Sequence, residues 1–202
     1  MNLAKINLKE YDAITEFLPD NGFLGAYMKF TNGLEVCPRF RFFSAACVLG
    51  AAINNKVRLQ VGDEGLLTPL MPNLWVMLLG PPYRGHKNTA INMAVNIYFK
   101  AYGDDARILA DKLTPESLVN ALAIPKSDAE RIFIGQRDST GLIKVPEMSV
   151  LFGKQQYNTG MIALITDLNE FREEWVVETI GRGMQKLKNL CISVITGSTP
   201  KW

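Results

Sequence analysis

The stretch Asn73-Leu-Trp-Val-Met-Leu-Leu-Gly80 decides the fold. It is a continuous apolar run between Pro72 and a glycine-rich loop, and such a run is typical of a strand buried on both faces of a parallel sheet. After the loop, apolar residues recur at helical spacing from Ile91 to Phe99, which predicts an amphipathic helix ending near Gly103. A buried strand, a glycine-rich loop and a helix, in this order, open an α/β fold of the nucleotide-binding type.

Other segments complete the α/β pattern. Pro38 opens one predicted helix, and Thr114 caps another. Segments 141–146 and 187–196 read as strands, and the second is apolar and β-branched, as a central strand is. Further patterns predict turns at 22–33, strands at 57–61, 131–136 and 175–180, and a helix at 159–171. We therefore predict a small helical N-terminal segment, 1–70, and a three-layer core with a mostly parallel sheet, 71–202.

Composition and charge exclude several classes of protein. The chain has 202 residues, 48% hydrophobic and 21% charged, so it is neither disordered nor of low complexity. Its 22 basic and 20 acidic residues nearly balance, which gives no bulk charge for nucleic-acid binding. The three cysteines lack metal-ligand spacing and His86 is the single histidine, so no zinc site is predicted. No signal-peptide pattern and no membrane-length apolar run is present, so we expect a cytoplasmic protein without a membrane partner.

The loop after the apolar strand is similar to a phosphate-binding loop. In the usual pattern two glycines enclose four residues, and a lysine and then a serine or threonine follow. Gly80 and Gly85 have that spacing, but His86 stands where lysine is expected and Lys87 comes one residue later. Lys87 would reach the outer phosphates while main-chain N–H groups turn toward them. The alternative is a Pro- and Gly-rich turn before a helix with an unrelated lysine. The candidate nucleotide-binding residues are Gly80, Pro81, Arg84, Gly85, His86, Lys87, Asn88 and Thr89.

Two further positions bear on a magnesium ion and on hydrolysis. Asn88 takes the place of the usual magnesium ligand, and Thr89 is the candidate substitute. The strand at 141–146 runs into Glu147, which a P-loop ATPase would use to orient the attacking water, although a proline replaces the aspartate expected before it. Asp167 is a candidate for the missing magnesium ligand. The alternatives are a surface glutamate for Glu147 and a solvated helix face for Asp167.

Polar and basic residues near the end of the chain suggest two more roles. A polar residue at the end of a central strand beside the phosphate strand can sense the outer phosphate, and the alternative is an ordinary strand-end turn. The candidates for this role are Thr196, Ser198 and Thr199. Contacts with a DNA backbone would have to come from local clusters, since the net charge is only +2. The candidate clusters are Arg182, Lys186 and Lys188 near the last hairpin, and Arg39 and Arg41 in the early helix.

Segments 72–82, 84–89, 113–118, 145–153 and 198–202 together resemble a family of P-loop proteins from phages and bacteria. Members of that family often accompany primase domains and look like replicative helicases with a RecA-like core. The resemblance covers most of the chain. It assigns phosphate-loop roles to Gly80, Gly85, Lys87 and Thr89, the acidic strand end to Glu147, and the polar residue after the last strand to Thr199. Asn88 and Pro146 depart from the family pattern.

The resemblance implies a motor core that binds and hydrolyses ATP with Mg²⁺, forms a homo-oligomer, and acts on single- or double-stranded DNA in phage or mobile-element replication. Such proteins continue well past the segment at 198–202, so the chain is expected to be a fragment or a shortened relative. The departures at Asn88 and Pro146 favour an alternative, which is a nucleotide-binding or interaction module that does not hydrolyse ATP. A small-molecule kinase is a third possibility, but the sequence shows no arginine-rich lid.

Overall fold

The computed structural model describes residues 10–19, 21–62, 69–82, 85–109, 112–123, 138–152, 160–179 and 183–200. Three features discussed above therefore lie outside the described residues. They are Arg84, Arg182 and the predicted strand at 131–136.

A four-stranded parallel sheet forms the centre of the molecule. Its strands are β1 (Trp75–Leu79), β2 (Ile108–Leu109), β3 (Thr140–Val145) and β6 (Cys191–Ser198), in the spatial order β1-β6-β3-β2. A separate antiparallel hairpin joins β4 (Glu174–Thr179) to β5 (Gly183–Lys188). Every residue of β6 is buried, so the prediction of a central strand near the end of the chain is confirmed.

The longer helices begin where the sequence signals place them. The helices are α1 (Phe23–Phe30), α2 (Pro38–Ile53), α3 (Lys87–Tyr102), α4 (Pro115–Leu122), α5 (Met148–Phe152) and α6 (Met161–Asn169). A proline occupies the first turn of α2, where its missing N–H costs nothing. At the start of α4, Thr114 Oγ1 accepts from the Ser117 N–H at 3.2 Å, and Ser117 Oγ accepts from the Thr114 N–H at 2.8 Å. This reciprocal pair satisfies two N–H groups that would otherwise lack partners.

Helices cover both faces of the sheet. Side chains alternate along a strand, so Leu142 and Ile143 point to opposite faces. Leu142 and Ile195 belong to a core cluster with α1, α2 and α3, whereas Ile143 and Val194 belong to a second cluster with α4, α5 and α6. The molecule is therefore an α/β structure with helices on both faces of a parallel sheet. Because α2 packs on the sheet and on α3, it shares one core with the strands.

Several local predictions were wrong. β1 is buried on one face only, since Trp75, Met77 and Leu79 are 38%, 47% and 52% exposed on the other. Among the described residues, β1 is at the edge of the sheet, and none of its side chains belongs to the second core cluster, so the helices on that side do not cover it. The stretch predicted as turns at 22–33 contains the helix α1, and the predicted strand at 57–61 contributes a single bridge from Leu59 to Leu70.

Within the described ranges, no helix combines the length and the apolar character that crossing a bilayer requires.

Candidate functional site

Lys87 is the centre of the candidate site. It is the first residue of α3, and its side chain turns inward so that the residue is only 9% exposed. Its Nζ donates to the carbonyl oxygens of Gly80 at 2.6 Å and Ser198 at 2.8 Å. Gly80 follows β1 and Ser198 ends β6, so the ammonium lies between the carboxyl ends of two neighbouring parallel strands. No carboxylate among the described residues forms an ion pair with it.

The backbone before Lys87 makes two left-handed steps. Gly85 has φ 79°, and His86 has φ 54° and ψ 48°. Glycine adopts this conformation without cost, whereas a histidine there is strained by roughly 1–2 kcal/mol. In the usual pattern a glycine directly precedes the lysine, and here His86 fills that place and adopts the positive φ. The extra residue in the loop is thus accommodated without displacing Lys87 from the start of the helix.

Among the described residues, no side chain caps the N-terminus of α3. His86 forms no capping hydrogen bond, and the first turn contains no acidic residue. The first N–H groups of a helix and the positive end of its dipole favour a negative charge. Lys87 adds a full positive charge at the same end of the helix. Both features favour a negative charge at this position.

Residues from three elements meet beside Lys87. A Cβ atom placed on Gly197 in β6 would lie 2.8 Å from the carbonyl oxygen of Pro146 and 3.5 Å from Asn88 Oδ1. Glu147 follows Pro146 directly, so the acidic end of β3 lies at the same edge of the sheet as the phosphate loop. The structure therefore brings the loop, Asn88 and the Glu147 strand end together, as a nucleotide site would require.

The Asn88 side chain faces the strand ends, whereas the sequence suggested Thr89, and not Asn88, as the magnesium ligand of this helix. Its oxygen approaches Gly197 of β6, and the side chain is largely exposed. Thr89 is also exposed in the first turn of α3. The structure thus offers two neutral oxygen donors at this place. Of the two, Asn88 is the residue whose side-chain oxygen is seen to lie near the end of β6.

Three polar residues near the end of β6 differ in accessibility. The Thr196 and Ser198 side chains are buried, at 4% and 1% exposure. Thr199, the next residue, is half-buried and lies outside the strand. Of the three candidates for contact with the outer phosphate, Thr199 is therefore the one that a ligand can reach.

Asp167 does not join this site. Its carboxylate accepts from Arg172 Nη2 at 2.5 Å and from Trp175 Nε1 at 2.6 Å. The end of α6 lies beside Asn73, which precedes β1 and donates to the carbonyl oxygen of Asn169 at 3.3 Å. Asp167 is therefore near the amino ends of the strands, whereas Lys87 is at their carboxyl ends. It ties α6 to the β4 strand instead.

Sequence reasoning missed Phe40 in the first turn of α2. Its ring atoms lie 3.3 Å and 2.9 Å from the positions that Cβ atoms would take on Gly80 and Gly85. The Cys37 N–H also donates to the carbonyl oxygen of Gly85 at 3.3 Å. No local pattern marks Phe40, because it stands in a row of aromatic and basic residues, and the contact joins segments about 40 residues apart.

The basic residues that the sequence suggested as DNA contacts differ in exposure: Arg41 is buried, and Lys186 is exposed. Arg41 is 2% exposed, and its guanidinium donates to the carbonyl oxygen and, at 3.2 Å, to the hydroxyl of Thr31. Burial lowers the Arg41 pKa. The prediction that Arg41 lies in a surface cluster was therefore wrong, because this side chain closes the end of α1. Lys186 is exposed but pairs with Glu174 at 2.9 Å.

The outward face of the β4–β5 hairpin is balanced in charge. Registered pairs place Glu174 opposite Lys188 and Glu178 opposite Met184, with Lys186 between them opposite Val176. Two carboxylates and two ammonium groups thus share this face. Such a face attracts a phosphate backbone weakly, because binding to nucleic acid depends on uncompensated positive charge.

Among the described residues, no group of three or more His, Cys, Asp or Glu side chains is placed to hold a metal ion. Comparison of the chain with protein-family models and with curated proteins finds no match.

Proposed function

We propose that the chain binds ATP at the edge of the sheet formed by the phosphate loop, Lys87 and the end of β6. The observation that carries the proposal is the buried ammonium of Lys87 at the uncapped start of a 16-residue helix. A buried charge without an opposite charge is costly. A triphosphate would supply that charge and accept from the free N–H groups of α3.

The topology supports this assignment. In open α/β sheets, ligands bind outside the carboxyl ends of the strands, where neighbouring strands connect in different directions. β6 separates β1, the strand before the loop, from β3, which ends two residues before Glu147. A RecA-like P-loop core, the family that the sequence resembles, needs the loop, an acidic strand end and a polar strand end at one edge. The positions of Lys87, Glu147 and Thr199 are compatible with that arrangement.

A magnesium ion fits the donors at this edge. Magnesium prefers oxygen ligands and is usually held by one or two protein groups together with phosphates and water, so a protein cage is not needed. Asn88 Oδ1, directed toward the strand ends, and the Thr89 hydroxyl are the oxygens of α3 that would hold it. The ion would offset the charge of the phosphates. Glu147 would orient water toward the outer phosphate, and Thr199 would contact that phosphate.

A nucleotide-binding module without turnover is the second candidate. It is favoured by the end of β3, where Pro146 occupies the position before Glu147 and uses its carbonyl oxygen to pack on Gly197. A proline offers no carboxylate for the metal. DNA as a partner rests on the resemblance alone, and the balanced charge of the hairpin face gives it no support.

Titration of a fluorescent ATP analogue, with Mg²⁺ present, tests the proposal. Lys87→Ala should weaken binding about tenfold or more, since a tenfold change corresponds to about 1.4 kcal/mol. Lys100→Ala is the matched control, because Lys100 lies in the last turn of the same helix and is exposed. Equal affinity of wild type and Lys87→Ala would reject the site. Turnover measured with and without single-stranded DNA then separates the motor from the non-hydrolysing module.

A further inference from the structure

The Phe40 ring lies against both glycines of the phosphate loop, Gly80 and Gly85. Its Cζ and Cε2 atoms lie 3.3 Å and 3.6 Å from the Cβ position of Gly80, and its Cε2 lies 2.9 Å from that of Gly85. A Cβ atom at Gly85 would therefore overlap the ring, and one at Gly80 would press on it. The ring occupies the space that side chains at these two positions would need.

The helix that carries Phe40 is firmly held. α2 buries Ser44, Ala45 and Val48 in the core against the sheet and α3. Its capping residue, Cys37, donates its N–H to the carbonyl oxygen of Gly85 at 3.3 Å. The loop thus rests on α2 through a ring contact at both glycines and a backbone hydrogen bond at one. A displacement of the loop toward α2 is blocked by a rigid aromatic side chain.

We propose that Phe40 is a positioning residue for nucleotide binding, which holds the backbone of the phosphate loop in place at Gly80 and at Gly85. The inference rests on the proposed function. Backbone that is held in place at these two glycines before the ligand arrives loses less conformational entropy on binding. Phe40 does not itself touch the phosphates. It acts by keeping Lys87 and the first N–H groups of α3 directed at the place where the phosphates lie.

A double-mutant cycle on ATP affinity tests the contact. Gly80→Ala places a methyl group against the Phe40 ring, which must shift by a few tenths of an ångström, and should weaken ATP binding about threefold. Phe40→Leu removes the far end of the ring and should weaken binding about threefold to tenfold. The double variant should bind no more weakly than Phe40→Leu alone, because the added methyl then has room. Such non-additivity is expected of residues that contact each other or are coupled through shared packing, and not of distant independent sites.

Phe43→Leu is the matched control. Phe43 lies on the same helix, is 49% exposed and stacks edge-to-face on Phe42. Its replacement should leave ATP affinity unchanged. Phe40→Met, an unbranched side chain of about the same volume as leucine, serves as a second variant where Phe40→Leu lowers the melting temperature.

Hydrogen exchange without nucleotide gives an independent measurement. The Gly80 N–H, which donates to the Ser198 carbonyl oxygen, and the Cys37 N–H, which donates to the Gly85 carbonyl oxygen, should exchange several-fold faster in Phe40→Leu than in Phe43→Leu. The amides in the middle of β6 should exchange at the same rate in both variants. Wild-type ATP affinity in Phe40→Leu, or strictly additive effects of the two substitutions, would overturn the role of Phe40 and leave the ATP site in place. Absence of ATP binding by the wild-type chain would instead overturn the proposed function, and the role of Phe40 with it.

Discussion

The ammonium of Lys87 and the carbonyl oxygen of Ser198 lie 2.8 Å apart, although 111 positions separate the two residues in the chain. The same ammonium donates to Gly80 at 2.6 Å, so it links the ends of β1 and β6. Within the described part of the chain, two of its three N–H groups are thus engaged. In the proposed ATP complex the third N–H group would donate to a phosphate oxygen, and the two carbonyl groups already hold the ammonium in position.

Glu147→Gln should separate binding from hydrolysis. Glutamine keeps the size of the side chain but loses the carboxylate that would orient water. We expect ATP affinity within about twofold of wild type and turnover lowered about 10²-fold, the scale of general-base loss. Steady-state phosphate release at saturating ATP measures this, with Glu178→Gln on the hairpin as the control. An unchanged rate would remove Glu147 from the reaction, and no wild-type turnover would establish the non-hydrolysing module.

His86→Gly should stabilise the protein. His86 has φ 54°, which is strained for a residue with a Cβ atom. Glycine relieves the strain but adds freedom to the unfolded chain, so we expect a net gain of about 0.5–1 kcal/mol in the free energy of unfolding. Urea denaturation measures the gain, and ATP binding should persist. A loss of stability would mean that the imidazole makes a contact worth more than the strain.

Gly50→Ala should destabilise the protein, although helix propensity alone predicts a gain of about 1 kcal/mol. A Cβ atom at Gly50, within α2, would lie 2.2 Å from the carbonyl oxygen of Pro72. Backbone must move to make room, so we expect a loss of about 2–4 kcal/mol. Asn96→Ala is the control, because Asn96 is exposed in the middle of α3 and should gain about 0.5 kcal/mol. Chemical denaturation measures the free energy of unfolding of both variants. A loss in Gly50→Ala means that packing outweighs helix propensity at this position, and a gain would contradict the close approach to Pro72.

The buried thiols should make the fold sensitive to alkali. Burial raises the pKa of Cys47 to about 12 and that of Cys191 to about 11, above the ordinary value of 9.0. Between pH 9 and these values the unfolded chain loses protons that the folded chain retains, so the free energy of unfolding falls as the pH rises. Denaturation midpoints at pH 8, 9, 10 and 11 should decrease in that order.

Thiol titration of the native protein at pH 8 gives a second check on the same burial. Cys37 is half-buried, whereas Cys47 and Cys191 are buried, so Cys37 alone among these three should react with a thiol reagent. All three should react after unfolding in urea. Rapid modification of Cys47 in the native state would contradict its place in the core.

The sequence predicted those elements whose signals are local. Thr114 and Ser117 form a capping box from residues three apart, and the apolar, β-branched run of β6 requires burial wherever it lies. The position of Lys87 at the start of a helix after a glycine-rich loop followed in the same way. The α/β class with a parallel sheet is confirmed for these reasons.

The remaining features depend on contacts between distant segments. An apolar run such as β1 has the same pattern in the middle of a sheet and at its edge, so the sequence could not show that Met77 is exposed. Arginine side chains are mostly exposed in proteins, so the sequence placed Arg41 on the surface. Its burial depends on a contact with Thr31 that forms only in the folded chain. Likewise, Phe40 became part of the site through a contact with Gly85 that no spacing rule describes.

The place of β6 in the sheet also governs how the chain folds. β6 is the last described strand in sequence but lies between β1 and β3, and its Val194 is the registered neighbour of Trp75. Parallel pairings between such distant segments are slow to form, because the chain loses the entropy of a long loop before any favourable contact between the strands has formed. During synthesis, β1 therefore lacks its partner β6 until more than a hundred further residues have emerged from the ribosome. Its apolar strand is then open to wrong partners, so a chaperone present at this stage should raise the yield of native protein.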